Sequence, residues 1–166
     1  MANKVYQHDE TAILWQSASY DHAFFITGTP GALGPAAGRQ GAVRDFGTAA
    51  RPRRFVWRAR ITPTTTCVVG QMVTVYWKTG DGTTYDNNDG TTDLAVTALD
   101  KLRNCMILGA IQIDKLNAAD VMSASGEVEL SSRYGMPIFW NGTANALSGT
   151  MTTYGFSLTP VPDEVQ

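Results

Sequence analysis

Apolar and polar residues alternate over two stretches of this chain, residues 53–62 and residues 71–79. In the first stretch Phe, Trp, Ala and Ile alternate with three arginines, and in the second Val and Trp alternate with Thr, Tyr and Lys. A period of two places alternate side chains on opposite faces of a β-strand. Both stretches therefore predict half-buried strands, with Trp57 and Trp77 in the core.

Short apolar runs separated by turn residues predict further strands. The chain has 16 glycines and 7 prolines, which fall mostly between these runs and break regular structure. The runs cover residues 11–16, 22–27, 105–114, 126–130, 137–140 and 154–158. One or two short helices at most are predicted, over residues 94–103 and 114–122. About eight strands at regular spacing predict an all-β fold, a jelly-roll-like β-sandwich.

Residues 105–114 differ from the other predicted strands because both of their faces begin apolar. Cys105 and Ile107 share one face, while Met106 and Leu108 lie on the other. A strand with two apolar faces is typically covered on both sides. It is therefore predicted to lie in the centre of a sheet or at a subunit contact.

The length of 166 residues suits one structural domain, which we divide into three segments. Residues 1–27 are predicted to form an extended N-terminal arm and the first strands. Residues 28–50 are predicted to form a Gly/Pro-rich loop, because residues 28–38 contain four glycines and two prolines, which disfavour helix and central strand. Residues 51–166 are predicted to form the main body of the β-sandwich.

Composition and charge argue against several function classes. Only 17% of the residues are charged and the net charge is −2, whereas nucleic-acid-binding domains are usually basic. The 2 histidines and 2 cysteines lack the paired spacing of a zinc site. No apolar stretch is long enough to span a bilayer, and the first residues lack the apolar core of a secretory signal. We predict no enzymatic activity, cofactor, metal site or membrane association.

Arginines concentrate in one part of the chain, where seven of the 13 basic residues fall within 22 positions that contain a single acid, Asp45. Arginine pairs with carboxylates in a bidentate geometry and stacks on aromatic rings. Two interpretations stay open, a solvated strand face and a surface that docks on an acidic partner, while the negative net charge argues against a third, contact with nucleic acid. The seven are Arg39, Arg44, Arg51, Arg53, Arg54, Arg58 and Arg60.

An oxygen-rich segment follows the second alternating strand, with Asp81, Asp86, Asp89 and Asp93 close together. Calcium prefers such ligands, but the spacing departs from the EF-hand pattern because Gly90 occupies the third ligand position. A solvated loop and a cation site are the two interpretations.

The two cysteines, Cys67 and Cys105, lie 38 positions apart in apolar or β-branched surroundings. This favours inert thiols, so we predict reduced structural residues, with a bridge in a mature particle as the alternative.

Three aromatic residues are candidates for a glycan-facing surface, Trp140, Tyr134 and Tyr85. Trp140 precedes a predicted Asn141-Gly142-Thr143 turn, and Tyr85 lies in the acidic segment. Trp57 and Trp77 are assigned to the core instead, because they share faces with other apolar residues.

The chain resembles the small virion proteins of tailed bacteriophages, namely capsid decoration, cement or head-spike proteins. The resemblance lies in the Met-Ala-Asn-Lys start, the Gly/Pro-rich residues 28–38, the Thr-rich residues 61–79 and the polar ending of residues 155–166. It implies a jelly-roll-like β domain that assembles as an oligomer and holds capsid subunits together, without catalytic residues.

The leading hypothesis is a non-enzymatic structural protein that decorates or cements a phage capsid. Its partner would be the major capsid protein or another virion protein, bound through the arginine cluster. We expect it to be made in the host cytoplasm, to reside in the virion and to form a homo-oligomer, with a trimer as our guess. The alternative is a carbohydrate- or host-receptor-binding β module of a tail fibre or spike.

Overall fold

Two β-sheets packed face to face make up the protein, which confirms the predicted all-β sandwich. The computed structural model describes residues 11–16, 22–24, 33–48, 52–87, 89–114, 120–148 and 154–161. Its strands are β1 (Ile13–Gln16), β2 (His22–Ala23), β3 (Ala37–Gln40), β4 (Arg44–Asp45), β5 (Arg54–Ile61), β6 (Met72–Gly80), β7 (Leu94–Val96), β8 (Met106–Gln112), β9 (Met122–Glu129), β10 (Tyr134–Asn141) and β11 (Gly155–Pro160). One 3-10 helix spans Leu99–Leu102. The described residues contain no helix that is long and apolar enough to cross a membrane.

The strand order is that of a jelly roll. The first sheet has the order β2-β1-β11-β5-β9, and the second has the order β7-β3-β10-β6-β8, with β4 also paired to β10. Antiparallel pairs are nested along the chain, with β1 against β11, β3 against β10, β5 against β9 and β6 against β8. These four nested pairs form the eight-stranded Greek-key core of a jelly roll, to which β2, β4 and β7 add short strands.

The two alternating stretches form strands as predicted. Strand β5 alternates strictly between exposed and buried residues, and Trp57 is 3% exposed. Strand β6 buries Val73, Val75 and Trp77 on its inner face. Side chains alternate between the two faces of a strand whichever strands pair with it, so this pattern can be predicted from neighbouring residues alone.

An aromatic core fills the space between the sheets. Trp15 and Trp77 meet edge to face with ring centroids 5.6 Å apart, and Phe156 lies 5.7 Å and 5.9 Å from them. These side chains come from the start, the middle and the end of the chain. Edge-to-face aromatic pairs contribute about 0.5–1.5 kcal/mol beyond their burial, so the core holds both sheets in one unit.

Strand β10 is longer than the predicted residues 137–140 and lies centrally in the second sheet, between β3 and β6. Pro137 lacks a backbone N–H, which normally excludes proline from a central strand. Here its carbonyl accepts from the N–H of Gly41 at 2.9 Å, so the missing N–H points toward the break between β3 and β4.

Part of the predicted Gly/Pro-rich loop is a strand, so this boundary was wrong. Strand β3 begins at Ala37, inside residues 28–38, and pairs with β10 and β7. Gly38 fits because a Cβ there would lie 2.9 Å from Cε3 of Trp140. A close approach to a distant tryptophan, rather than a turn, explains this glycine.

The helix predicted over residues 94–103 was also wrong for most of its length, because β7 and the short 3-10 helix occupy it. Residues 115–119, 25–27, 1–10 and 162–166 lie outside the described part. The predicted helical turn after Asp114, half of the second predicted strand, the arm and the end of the tail fall on them.

The two thiols are free, as predicted. Cys67 belongs to the aromatic core between the sheets, whereas Cys105 belongs to a second cluster with Val96, Leu102 and Ile138. Burial raises the pKa of Cys105 to about 11, because desolvation disfavours the thiolate. An unreactive, structural role for Cys105 follows.

Candidate functional site

The fold distributes the predicted arginine cluster over different environments. Arg39 forms a bidentate pair with Asp93, at 2.6 Å from Nε to Oδ1 and 2.9 Å from Nη2 to Oδ2. The side chains of Arg39 and Asp93 are only 15% and 7% exposed. This pair ties β3 to the connection between β6 and β8, so Arg39 is occupied inside the protein.

Two other arginines also have partners. Arg44 on β4 is half-buried, with Nη1 3.4 Å from Nε2 of His22. Arg54 on β5 pairs with Glu127 on β9 at 2.8 Å, and both are well exposed. Arg53 is exposed just before β5, and Arg51 lies outside the described residues.

Arg58 and Arg60 are the members of the cluster that project freely from a sheet. Both are exposed on the outer face of β5. Their cross-strand neighbours carry no charge, since Arg58 lies opposite Ser125 and Ser157, and Arg60 lies opposite Ser123 and Gly155. Within the described part of the chain neither arginine has an ion-pair partner.

The two arginines border an open groove of about 660 Å³ on the outer face of the first sheet. Leu14, Gln16 and Val121 contribute to its walls, together with Ser123 and Ser157. None of the described residues that line the groove carries a carboxylate. We call the surface formed by Leu14, Arg58, Arg60, Ser123 and Ser157 the arginine face.

The arginine face can bind anionic groups by simple chemistry. Two guanidinium groups, two residues apart on one strand face, present parallel sets of N–H donors, and serine hydroxyls beside them add short-range donors and acceptors. The acids of this sheet, Glu127 and Glu129, lie opposite Val56 and Arg54, toward the other end of β5. The outer face is therefore divided into a neutralised end and a cationic end.

The acidic segment is neither a freely solvated loop nor an open cation site where it is described. Asp81 accepts from the N–H groups of Thr83 and Thr84 at 2.7 Å. Asp86 accepts from the N–H and the hydroxyl of Thr79 at 2.6 and 2.9 Å. Asp89 pairs with Lys101, and Asp93 pairs with Arg39. Asp86, Asp89 and Asp93 therefore fasten the segment to other parts of the protein, whereas the exposed Asp81 stabilises only its own turn. Among the described residues, no group of three potential ligands suited to a metal occurs.

The sequence pattern missed the buried position of Lys78, which it placed on the polar face of β6. Lys78 is fully buried, and its Nζ donates to Oε1 of Gln40 at 3.0 Å and to the carbonyls of Asp89 and Gly90 at 2.9 Å. Burial lowers its pKa from 10.5 to about 8, because a low-dielectric site disfavours the charged ammonium. Lys78 therefore links β6 to Gln40 of β3 and to the backbone of the acidic segment.

We expect the free energy of unfolding to rise as the pH is raised from about 8 to about 9. Native Lys78 loses its proton in this interval, whereas in the unfolded chain its pKa stays near 10.5. The unfolded state then binds more protons, so stability increases with pH, by at most about 1.4 kcal/mol per pH unit. Denaturant titrations at a series of pH values measure this slope.

The measurement needs a control for Cys105, because the ionisation of its thiol changes the free energy of unfolding with pH in the opposite direction. Its thiol ionises near pH 9 in the unfolded chain and near pH 11 in the native one, so it lowers stability between these values. A Cys105→Ala variant removes this opposing effect. A slope between pH 8 and 9 that persists unchanged in Lys78→Met would contradict the assignment to Lys78.

The three candidate glycan-facing aromatics differ in accessibility. Tyr85 is buried, with Nζ of Lys78 5.3 Å from its ring centroid. Trp140 is half-buried and packs against the second cluster on the outer face of the second sheet. Tyr134 is half-buried, and the guanidinium carbon of Arg133 lies 4.8 Å from its ring centroid. Each ring is thus in contact with other parts of the protein.

The geometry of the site is the basis for its interpretation. No protein-family model matches this chain, and no curated protein sequence does.

Proposed function

We propose that this chain is a non-enzymatic structural protein of a phage virion, which decorates or cements the capsid by binding neighbouring capsid subunits through the arginine face. The partner is the major capsid protein or another virion protein with an acidic surface. The observation that carries the proposal is the pair Arg58 and Arg60, exposed on a sheet face with uncharged cross-strand neighbours.

Charge supports docking at this position over simple solvation. The chain as a whole has a net charge of −2, yet the described residues that line the groove include two arginines and no acid. Charge-assisted hydrogen bonds from arginine to carboxylates are stronger than bonds between neutral groups. An acidic partner surface would therefore be attracted to this face while the rest of the protein repels it, which orients the encounter.

The shape of the site supports a macromolecular partner. The groove is open and runs over the outer face of the first sheet, along β1, β11, β5 and β9. Specific protein interfaces bury about 1,600 Å² in total, which requires a broad, rigid surface of this kind. Binding to two neighbouring subunits at once would stabilise their assembled state by mass action.

The first experiment is the protein composition of purified particles of the virus whose genome encodes this chain. We expect the chain at a fixed ratio to the major capsid protein. Particles lacking the chain are then mixed with purified wild-type protein or with Arg58→Glu/Arg60→Glu, and the bound fraction is measured by co-sedimentation. We expect the double variant to bind about 100-fold more weakly, because like charges across an interface cost several kcal/mol.

The matched control is the single variant Arg53→Glu, compared with Arg58→Glu alone, because it changes the net charge equally at an exposed residue outside the groove. It is expected to bind particles nearly as well as the wild-type chain. Absence of the chain from the particles overturns the virion role. Equal binding by the Arg58→Glu/Arg60→Glu variant overturns the arginine face as the docking surface.

A further inference from the structure

The edge strands of the two sheets are protected to very different degrees. Strands β2 and β7 are only two and three residues long, and β9 carries Glu127 and Glu129. Short length and charged side chains are the usual devices that keep an edge strand from pairing with another chain. Strand β8 has neither, because it is seven residues long and contains no charged residue and no proline. Its only irregularity is one register shift against β6, between Val75 and Tyr76.

Strand β8 also exposes apolar side chains. Ile107 is 64% exposed and Met106 is 39% exposed, and Met72 on the neighbouring strand β6 is 48% exposed. Within the described part of the chain, β8 pairs with β6 on one side and has no ladder partner on the other. A row of unused backbone donors and acceptors beside exposed apolar residues favours the addition of another strand.

The sequence pattern predicts that residues 105–114 lie either in the centre of a sheet or at a subunit contact. The structure places β8 at an edge of the second sheet, so the central position was wrong and the subunit contact stays a prediction. We infer that β8 pairs antiparallel with β8 of a second copy of this chain, which joins the second sheets of the two copies across a two-fold axis.

Charge complementarity identifies the occupant as a second copy. Arg103 precedes β8 and Asp114 follows it, and both are exposed without an ion-pair partner among the described residues. An antiparallel pair of identical strands brings the Arg103 end of one copy beside the Asp114 end of the other, and it does so twice. The uncharged strand between them opposes no like charges.

The symmetry of this contact fixes the assembly. A contact between the same surface of two copies is closed by a two-fold axis, so it produces a dimer rather than the trimer guessed from the sequence. Strand β8 belongs to the second sheet and the arginine face to the first, so the dimer and the proposed docking can be tested separately.

The test measures the mass of the full chain in solution by light scattering over a range of concentrations. The wild-type chain is expected to have twice the mass of one chain. Ile107→Lys places a charge on the exposed edge and is expected to raise the dimer dissociation constant at least about tenfold. Val68→Lys is the matched control, because Val68 is 59% exposed outside β8, and it is expected to leave the dimer intact.

A charge exchange tests the orientation of the strands. Arg103→Glu and Asp114→Arg are each expected to weaken the dimer by placing like charges together, and the double variant Arg103→Glu/Asp114→Arg is expected to restore it. Thermal unfolding of each variant verifies that the monomer fold is kept. A wild-type monomer at all concentrations, a dimer equally sensitive to Ile107→Lys and Val68→Lys, or a failure of the double variant to restore association overturns the inference.

Discussion

The Asn141→Ala substitution is expected to lower the free energy of unfolding by about 4 kcal/mol relative to the wild-type chain. Asn141 is fully buried at the end of β10. Its Nδ2 lies within 3.0 Å of the carbonyls of Leu33, Gly34 and Asn145. Its Oδ1 accepts from the N–H and the hydroxyl of Thr143 at 3.0 and 2.7 Å.

The size of this effect follows from the number of groups that lose their partner. Each buried donor or acceptor left without a hydrogen bond costs about 1–3 kcal/mol. Removal of the Asn141 amide strips partners from several backbone groups at once, and a cavity adds to the cost. Denaturant unfolding monitored by tryptophan fluorescence measures the difference.

Thr143→Val is the matched control for Asn141, because it removes one hydroxyl at nearly constant volume. It is expected to cost about 1–2 kcal/mol, since the backbone bond from Thr143 to Asn141 remains. An Asn141→Ala loss no larger than the Thr143→Val loss would show that the Asn141 amide is not the centre of this network.

The Gly135→Ala variant is expected to lose about 3 kcal/mol or more of its free energy of unfolding. A Cβ at Gly135 would overlap the indole ring of Trp77 at Cζ2, Cε2 and Nε1. Trp77 is 1% exposed and packed against Trp15 and Phe156, so its ring has no free space to enter. Overpacking of this kind costs about 1–3 kcal/mol in ordinary cores and more where neither group can move.

Two further variants isolate the clash as the cause. Gly34→Ala is the control, because nothing lies within 4 Å of the added Cβ and its backbone does not have a positive φ; it is expected to change stability by less than about 0.5 kcal/mol. Gly135→Ala combined with Trp77→Phe is expected to lose less stability than the sum of the two single changes, because the smaller ring removes the overlapping atoms. Strict additivity would contradict the clash.

The sequence predictions that succeeded depend on local patterns of residues, whereas those that failed depend on contacts between residues far apart in the chain. The alternation in β5 and β6 predicted both strands and the burial of Trp57 and Trp77, since it needs only neighbouring positions. The Gly/Pro content of residues 28–38 argued against a strand, yet β3 forms there because it pairs with β10 about 100 positions later in the chain.

In the candidate site, even fewer of the contacts could be predicted from local patterns of residues. The sequence identified seven arginines but could not say which were paired, because Arg39 meets Asp93 at a separation of 54 positions and Arg54 meets Glu127 at a separation of 73. It treated the acidic residues as a loop that is solvated or binds a cation, whereas their partners are Thr79, Lys101 and Arg39. It also had no signal for a buried Lys78, because a lysine in an alternating strand normally marks the solvent side.

By itself, the sequence determined the class of fold, the two main strands with their inward tryptophans, and the outward face of β5 that carries Arg58 and Arg60. Each of these depends on the identity and spacing of residues that are close along the chain. Only the tertiary structure decided which charged side chains form ion pairs and which glycines lie against the ring of a tryptophan that is distant in the sequence. It also decided that β8 lies at the edge of a sheet and not inside it. In a jelly roll nearly every strand neighbour comes from a remote part of the chain, so partners, edges and burial are set by long-range pairing that no local pattern records.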